Sequence, residues 1–364
     1  MFSLCPGEQR AQYPYISALY WYNRRRTRPG CAAFRQRWIL LIMDQFLGLI
    51  QDDMARVDAR LDRALQSDID LVHQVSRYMA TVKGKRLRPA LVLLGAQATG
   101  RQDDRLVDAA VAVEMIHAAT MIHDDVVDAA SMRRGQPSVN SVWSDQIAVL
   151  MGDFLLSRAL CMLVDLGDLL ALRVVSRATE RLSQGEIFEI QIGQQTDTSE
   201  ESYFGMVGDK TASLVAASCQ LGPILTGAQP EVIDSMKEYG EALGKAFQIA
   251  DDVLDFTGDA DQMGKPVGHD LHEDKITLPL IHALDAAPAQ ERRDLEKLLA
   301  QSDKGQPEWE RVHQFVVQYN GVESARKTAH QYADRALECL DILPASPARE
   351  VLQLAVRLVV EREN

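Results

Sequence analysis

Two acidic segments of this sequence have the same spacing. The first occupies Asp124–Asp128 (Asp-Asp-Val-Val-Asp), and the second occupies Asp251–Asp255 (Asp-Asp-Val-Leu-Asp). Each comes at the end of an apolar stretch with helical periodicity, so its first and last Asp residues share one face of a helix. Carboxylates placed in this way repel one another unless a cation lies between them. One such segment is more often a solvated helix end, but two of them predict a shared site for divalent cations with oxygen ligands.

Six carboxylates around one space would require an anionic ligand as well as several cations. Mg²⁺ usually binds one or two carboxylates together with phosphate oxygens, so the predicted ligand is a diphosphate held through Mg²⁺. Zinc is not favoured, because no paired set of Cys and His residues accompanies the Asp residues. These residue types therefore predict the binding of a diphosphate through metal ions.

Two basic segments could contact the same anionic ligand. Residues 83–89 read Lys-Gly-Lys-Arg-Leu-Arg-Pro and precede a predicted helix. Helix N-termini with Lys and Arg residues bind phosphate groups. Arg133 and Arg134 follow Asp128 by five and six residues. Either segment alone is better interpreted as a basic loop, but beside a diphosphate site both become candidate anion contacts.

Helices must position these residues. Of the 364 residues, 46% are hydrophobic and only 6% aromatic, helical periods dominate and clear alternation is absent, which predicts an all-α protein. The pattern predicts helices at about 43–65, 68–82, 90–98, 106–128, 146–163, 167–192, 203–222, 280–286, 289–301, 307–319, 322–342 and 347–361, with a further helix leading into the second acidic segment.

Charge separates the first 42 residues from the rest. The net charge of −13 disfavours non-specific binding to nucleic acid. Residues 1–42 carry +6, which leaves −19 for residues 43–364. We expect residues 1–42 to be a basic extension, disordered or lying before a true start at Met43, although an organellar transit peptide has a similar composition. Residues 43–364 are predicted to form one domain, and five scattered Cys residues indicate reduced, intracellular thiols.

Taken together, the motifs resemble the trans-isoprenyl diphosphate synthases, also called polyprenyl synthetases, and especially the long-chain octaprenyl and decaprenyl types. The likeness covers about residues 46–280. Besides the two acidic segments and the basic residues 84–89, the motifs are His123, Arg133-Arg134-Gly135, Gly185-Glu186, Lys210-Thr211-Ala212, Gln248 and Gly264-Lys265.

The resemblance implies a fold, an activity and partners. The fold would be a single-domain bundle of long helices around a deep central apolar cavity, the isoprenoid synthase fold. The activity would be a prenyltransferase reaction that depends on Mg²⁺ and condenses isopentenyl diphosphate head to tail with an allylic diphosphate such as farnesyl diphosphate. The protein would be a cytoplasmic homodimer with at most transient membrane contact, and it would not bind nucleic acid.

The resemblance also implies a role for each motif residue. Up to three Mg²⁺ ions would be bound by Asp124, Asp125, Asp128, Asp251 and Asp255. Asp252, Lys210 and Arg133 would complete the catalytic set. The allylic substrate would be bound by Arg133, Lys210, Thr211, Gln248, Lys265 and Lys275, although Asp274 departs from the family pattern beside Lys275. Isopentenyl diphosphate would be bound by Lys85, Arg88, His117 and Arg134, with Arg86 beside them.

Product length would depend on the residues before the first acidic segment. In this family they form the cavity wall that limits product growth. Ala119 and Thr120 lie five and four residues before Asp124, and Ile116 lies two helical turns before it. Because small residues one turn of about 5.4 Å from Asp124 would leave a tunnel open, we expect an all-trans product of about C30–C50, as used in quinone side chains. Alternatively, Ala119 only packs against a neighbouring helix.

Three other interpretations remain open. A stop formed by Met151, Phe154 or Leu155 would make the enzyme a shorter-chain geranylgeranyl or farnesyl diphosphate synthase. A non-catalytic partner subunit is a second possibility, although such subunits usually lose an acidic segment. The third is an acidic helical scaffold that binds Ca²⁺ incidentally.

Overall fold

The computed structural model describes residues 48–81, 86–100, 103–133, 135–195, 199–257, 275–301 and 305–361. Within these residues helices dominate, and the strands are limited to one hairpin of two strands with two residues each, so the predicted all-α class is confirmed. The elements are α1 (Gln51–Ala64), α2 (Asp70–Thr81), α3 (Leu87–Ala98), α4 (Leu106–Val127), β1 (Met132–Arg133), β2 (Gln136–Pro137), α5 (Val139–Val142), α6 (Asp145–Asp165), α7 (Leu169–Gln195), α8 (Glu200–Val207), a π-helical turn (Gly208–Ala212), α9 (Ser213–Leu225), α10 (Pro230–Thr257), α11 (Leu278–Ala286), α12 (Ala289–Leu299), α13 (Gln306–Gln318), α14 (Gly321–Cys339), a 3₁₀ turn (Leu340–Ile342) and α15 (Pro347–Val360).

Most predicted helices match within a few residues, but two do not. In the described part of the helix predicted over 43–65, residues 49–50 form a turn and α1 begins only at Gln51. The stretch predicted as a single helix over 203–222 is α8, the π-helical turn and α9 in succession. The residues from Ile50 onward belong to one compact unit. The predicted domain boundary between residues 42 and 43 lies outside the described residues and stays a prediction.

Three helices form the centre of this unit. α4 packs against α6, α3 and α1, and α10 packs against α9 and α14, while α9 also contacts α3 and α7. α4 and α9 are apolar around most of their circumference, as expected for helices covered on all sides. A Cβ atom added at Gly240 of α10 would lie 2.4 Å from the Cα of Ala216 in α9, so these two helices approach closely only because residue 240 is Gly.

In the part of the chain that the structure describes, two helices, α4 and α6, are long and apolar enough to cross a membrane by length and composition alone. In the most apolar 18-residue stretch of α4, 67% is buried inside the protein, so α4 is a core helix. In α6 the corresponding share is 39%. Its exposed apolar side chains are Val149, Leu150, Leu160 and Val164.

The C-terminal helices form a second layer on α10. α14 packs along α10, and α11 packs against α13 and α14. Leu284, Trp309 and Val316 belong to one apolar cluster beneath these helices, together with Phe256 from the end of α10. The layer therefore supports the helix that carries the second acidic segment.

Candidate active site

The two acidic segments lie in the last turns of α4 and α10 and share a burial pattern. The second Asp of each segment is buried, with 3% of Asp125 and 2% of Asp252 exposed. The other four carboxylates remain at least partly accessible to solvent: Asp124 and Asp255 are half-buried, and Asp128 and Asp251 are exposed.

A guanidinium group holds the buried Asp of the first segment. The Nε of Arg133, in β1, donates a hydrogen bond of 2.5 Å to Oδ1 of Asp125. The backbone carbonyl of Asp125 accepts from the amide N–H of Ala130 at 2.9 Å and from Nδ2 of Asn140 at 3.3 Å. Burial raises the pKa of Asp125, and Arg133 opposes this rise. The β1–β2 hairpin thus serves to bring a compensating cation back onto the end of α4.

Neutral donors hold the buried Asp of the second segment. The hydroxyl of Tyr203, in α8, donates to Oδ2 of Asp252 at 2.5 Å. Nε2 of Gln248, one turn earlier in α10, donates to Oδ1 of Asp252 at 2.9 Å. Oε1 of Gln248 in turn accepts from the hydroxyl of Thr211 at 3.0 Å. Both carboxylate oxygens of Asp252 are therefore used inside the fold.

The π-helical turn carries Lys210, which lies between two carboxylates of α7. Its ammonium group donates to Oε2 of Glu186 at 2.7 Å and also to the carboxylate of Glu189. A Cβ atom added at Gly185 would lie 2.4 Å from the amide nitrogen of Lys210, so only Gly at this position allows the turn to approach α7. Burial opposes the charge of Lys210, but the carboxylates of Glu189 and Glu186 outweigh burial and raise its pKa.

Negative charge is in excess at the end of α4. The pKa of Asp124 is raised to about 7, mainly by burial and then by the nearby carboxylate of Glu186. Asp128 raises this pKa further, whereas the cations of Lys210 and Arg133 lower it. The two cations therefore only partly neutralise the carboxylates around Asp124, which leaves room for further positive charge.

The π-helical turn connects the two acidic segments. Lys210 acts electrostatically on Asp124, and the next residue, Thr211, is hydrogen-bonded to Gln248 beside Asp252. Consecutive residues of this turn thus reach towards the ends of α4 and α10. π-helical turns occur frequently at functional sites.

Comparisons with known proteins agree with this geometry. The sequence profile described as "Polyprenyl synthetase" matches residues 69–316. Octaprenyl diphosphate synthase from Escherichia coli (strain K12) is 37% identical over 316 residues, which cover 87% of this chain and 98% of that protein. The chain belongs to the polyprenyl synthetase family. The predicted prenyltransferase, a prenyl diphosphate synthase, is thereby confirmed.

Other relatives in this family have long-chain names. All-trans-nonaprenyl-diphosphate synthase (geranyl-diphosphate specific) from Rhodobacter capsulatus is 37% identical over 317 residues, which cover 87% of this chain and 97% of that protein. The crystal structure of a decaprenyl diphosphate synthase from Rhodobacter capsulatus matches with a TM-score of 0.83 and 33% identity over 88% of this chain and 99% of the other. Polyprenyl synthase from Caulobacter crescentus CB15, solved with calcium and isoprenyl diphosphate, matches with a TM-score of 0.82 and 32% identity over 88% and 98%.

The donor set of this synthetase suits a metal ion that is shared with a ligand. Among the described residues, no group of three or more His, Cys, Asp or Glu side chains is arranged to hold a metal ion alone. Mg²⁺ usually takes only one or two carboxylates and completes its shell with phosphate oxygens and water. The raised pKa of Asp124, caused by burial and neighbouring carboxylates, is consistent with a place for a divalent cation.

Three of the residues predicted to bind isopentenyl diphosphate are described, and their burial and contacts are as follows. Arg86, just before α3, has a φ of +51° and donates through Nη1 to Oε1 of Glu114 at 2.7 Å. Its Nε also lies 3.4 Å from Oδ1 of Asp58, so two carboxylates of α1 and α4 accompany this guanidinium. Arg88 and His117 are half-buried. The substrate roles of all three stay predictions.

Three of the predicted site residues, Lys85, Arg134 and Lys265, lie outside the described residues, as does Asp274. Lys275 is described and half-buried.

The residues predicted to set product length lie on the buried part of α4. Ile116 is fully buried and Ala119 is 1% exposed. Thr120 is half-buried and donates its hydroxyl hydrogen bond to the carbonyl of His117 at 2.9 Å. The hydroxyl of Thr120 is therefore satisfied within the helix.

Sequence reasoning missed three residues that hold the site together. Glu189 follows Glu186 by three residues in a predicted helix, and this spacing alone places both carboxylates on one face. Glu114 interrupts the apolar stretch of α4, and a buried Glu requires a cation. For Tyr203 the sequence offered no signal, because its partner Asp252 is 49 residues away.

Proposed function

We propose that this synthetase condenses isopentenyl diphosphate head to tail with an allylic diphosphate such as farnesyl diphosphate. One observation supports the proposal above the others. A single π-helical turn contacts the surroundings of both acidic segments, because its Lys210 acts electrostatically on Asp124 and its Thr211 is hydrogen-bonded to Gln248. Two groups of carboxylates with a cation and a hydroxyl between them fit a diphosphate that is bound through divalent ions.

Four accessible carboxylates would hold the metal ions, which we propose to be up to three Mg²⁺. When bound, Mg²⁺ would neutralise the diphosphate and its leaving oxygen. Asp125 would contribute less directly, because Arg133 occupies its Oδ1. Calcium and isoprenyl diphosphate in the Caulobacter crescentus relative support the use of a divalent ion. The four carboxylates are Asp124, Asp128, Asp251 and Asp255.

The chain's own residues would stabilise the charges of the reaction. As the allylic C–O bond breaks, its electron pair goes to the diphosphate oxygen, and Lys210 and Arg133 are the cations near Asp124 that would face this charge. Thr211 and Gln248 would orient the diphosphate. The double bond of isopentenyl diphosphate then forms a bond to the allylic C1, and the resulting cation loses a proton to the released diphosphate. The apolar surface of α4 would keep water away from the carbocation.

We propose a long-chain, all-trans product of about C30–C50, as used in quinone side chains, because the small residues Ala119 and Thr120 lie about one helical turn before Asp124 in α4. The names of the octaprenyl, nonaprenyl and decaprenyl relatives support this length. The short chain isoprenyl diphosphate synthase of Methanothermobacter thermautotrophicus is 34% identical over 328 residues, so sequence identity does not distinguish a long-chain from a short-chain product. The length of the product made by the purified protein distinguishes them.

The test of activity uses the purified protein with Mg²⁺, labelled isopentenyl diphosphate and farnesyl diphosphate. We expect labelled polyprenyl diphosphates in the extracted lipids, and their length on a sizing gel gives the end of the ladder. Chelation of the metal with EDTA should abolish incorporation, and Mg²⁺ should restore it. Absence of incorporation under these conditions would refute the proposed function.

Product length is tested by substitution at Ala119. Ala119→Tyr adds a ring where α4 would line the growing chain, and the product should become shorter by at least one isoprene unit. Ala118→Tyr is the matched control, because it adds the same ring about 100° around the helix. An unchanged ladder in Ala119→Tyr, or equal shortening in both variants, would contradict the role of Ala119.

We also propose a cytoplasmic homodimer. The exposed apolar side chains of α6, including Leu150 at 55% and Val164 at 60% exposure, support an interface on this helix. Light scattering after size exclusion should give twice the chain mass of 40.5 kDa. Leu150→Glu should shift the protein towards the monomer, and a wild type at the monomer mass would contradict the proposal.

A further inference from the structure

Asp252 differs from the acidic residues on either side of it in the same helix. It is 2% exposed, whereas Asp251 is exposed and Asp255 is half-buried. Its two carboxylate oxygens accept from different donors, the hydroxyl of Tyr203 at 2.5 Å and Nε2 of Gln248 at 2.9 Å. A buried carboxylate that is hydrogen-bonded on both oxygens is held in one place by the fold.

The contacts of Asp252 join three elements. Tyr203 belongs to α8, and Gln248 belongs to α10 itself. Gln248 accepts from Thr211 of the π-helical turn at 3.0 Å. The order Tyr203–Asp252–Gln248–Thr211 is therefore a continuous set of hydrogen bonds from α8 through α10 to the turn that carries Lys210.

The position of Asp252 determines where its neighbours point. Successive residues of an α-helix are separated by about 100° around the axis, so Asp251 and Asp255 share one face and Asp252 lies on another. A fixed contact at Asp252 sets the rotation of α10 about its own axis. That rotation sets the direction of Asp251 and Asp255.

We propose that Tyr203 is a positioning residue for the second acidic segment and that Asp252 is its anchor rather than a metal ligand. The inference rests on the proposed function, in which Asp251 and Asp255 hold the metal ions. Tyr203 acts through Asp252, and it fixes Asp251, Asp255 and Gln248 relative to Lys210. Side chains that orient metal ligands in this way typically change metal affinity or activity by about 10–100-fold when they are removed.

A purely structural role for Tyr203 makes a different prediction. Its ring lies in an apolar cluster with Val207, Ile249 and Val253, so the residue also supports packing. Tyr203→Phe keeps the ring and removes only the hydroxyl, which leaves one buried oxygen of Asp252 without this donor. Under a structural role the variant would lose stability alone.

Tyr239 provides the matched control on α10. It is fully buried, and its hydroxyl donates to the backbone carbonyl of Leu352 in α15 at 2.9 Å. Tyr239→Phe removes an equally buried hydroxyl hydrogen bond without contact to either acidic segment. We expect both variants to lower the melting temperature by a similar amount. Only Tyr203→Phe should raise the Mg²⁺ concentration for half-maximal turnover, by about tenfold.

A second pair of variants tests the role of Asp252. Asp252→Asn can keep hydrogen bonds to Tyr203 and Gln248 if the amide of Gln248 turns over, whereas a metal ligand would lose its charge. We expect turnover to fall by about tenfold in Asp252→Asn and by about 100-fold or more in Asp251→Asn. Tyr203→Phe kinetics equal to those of Tyr239→Phe, or equal losses in Asp252→Asn and Asp251→Asn, would overturn the inference. Wild-type turnover in the same assay separates these results from failure of the proposed function, since an inactive wild type overturns both.

Discussion

The two acidic segments have the same spacing and the same buried middle residue, but they are anchored by different chemistry. In the first segment the cation of Arg133 holds Asp125. In the second, the neutral side chains of Tyr203 and Gln248 hold Asp252. A repeated motif in a sequence therefore does not mean a repeated environment. One segment depends on an ion pair, and the other depends on directed hydrogen bonds.

The surroundings of the accessible carboxylates differ as well. Asp124 lies near Glu186, Asp128 and Lys210, and its pKa is raised to about 7 by burial and by these carboxylates. The first segment therefore carries strain from like charges in addition to its charged anchor. Substitutions in each segment can separate the effect of these like charges from the effect of the anchor.

The largest effect is expected from removing one accessible carboxylate in each segment. Asp124→Asn and Asp251→Asn should each lower turnover by about 100–1,000-fold, because each removes a charge from the diphosphate site. Steady-state turnover with saturating Mg²⁺ and both diphosphates measures this. Wild-type turnover in either variant would show that its segment does not hold the metal ions. The two segments would then not share a function.

An intermediate effect is expected from removing the two anchors. Arg133→Gln leaves a buried carboxylate without its cation, and the partly exposed position of Arg133 limits the loss of unfolding free energy to about 2–3 kcal/mol. Tyr203→Phe removes one neutral donor and should cost about 1–2 kcal/mol. Urea denaturation of the metal-free proteins gives both values.

The double variant Arg133→Gln/Asp125→Asn is the control for the charged anchor. Removing the charge of Asp125 as well should recover most of the stability that Arg133→Gln loses. If the double variant is as unstable as the sum of the single variants, Arg133 stabilises the fold through something other than Asp125.

The smallest effect concerns pH. The pKa of Asp124 is 3.8 ordinarily and about 7 in the folded protein, so the folded state binds its proton more tightly. Stability of the metal-free protein should therefore fall as pH rises from about 4 to about 7 and stay low above that range. Asp124→Asn lacks this loss and should melt about 2–4 °C higher than the wild type near pH 8, with no advantage near pH 4. A lower melting temperature for Asp124→Asn near pH 8 would contradict the strain at this site.

The helices could be predicted from the sequence because periodicity reports which face of each helix is buried. The 22-residue helix α4 was predicted within one residue of its observed ends. The π-helical turn could not be predicted, since it differs from the α-helices on either side of it only by one extra residue in the turn, and residue types do not report that. The turn also lies close against α7, and Gly185, more than twenty residues earlier in the chain, permits this approach.

The site was predictable as a set of residue types but not as a set of contacts. Spacing identified the Asp residues, and the family resemblance added Lys210, Thr211 and Gln248. Neither the spacing nor the resemblance could show that Lys210 is held between Glu186 and Glu189. Such contacts join residues that are far apart in the chain, and local pattern contains no information about them.

The π-helical turn has a consequence for the register of the whole bundle. A π turn is equivalent to one residue inserted into a regular α-helix, so α9 continues from α8 with its faces displaced by about 100°. Without that insertion, Lys210 and Thr211 would be in phase with α8, and α9 would turn different residues towards α3 and α10. The catalytic geometry and the core packing are thus two results of the same one-residue shift in helical phase.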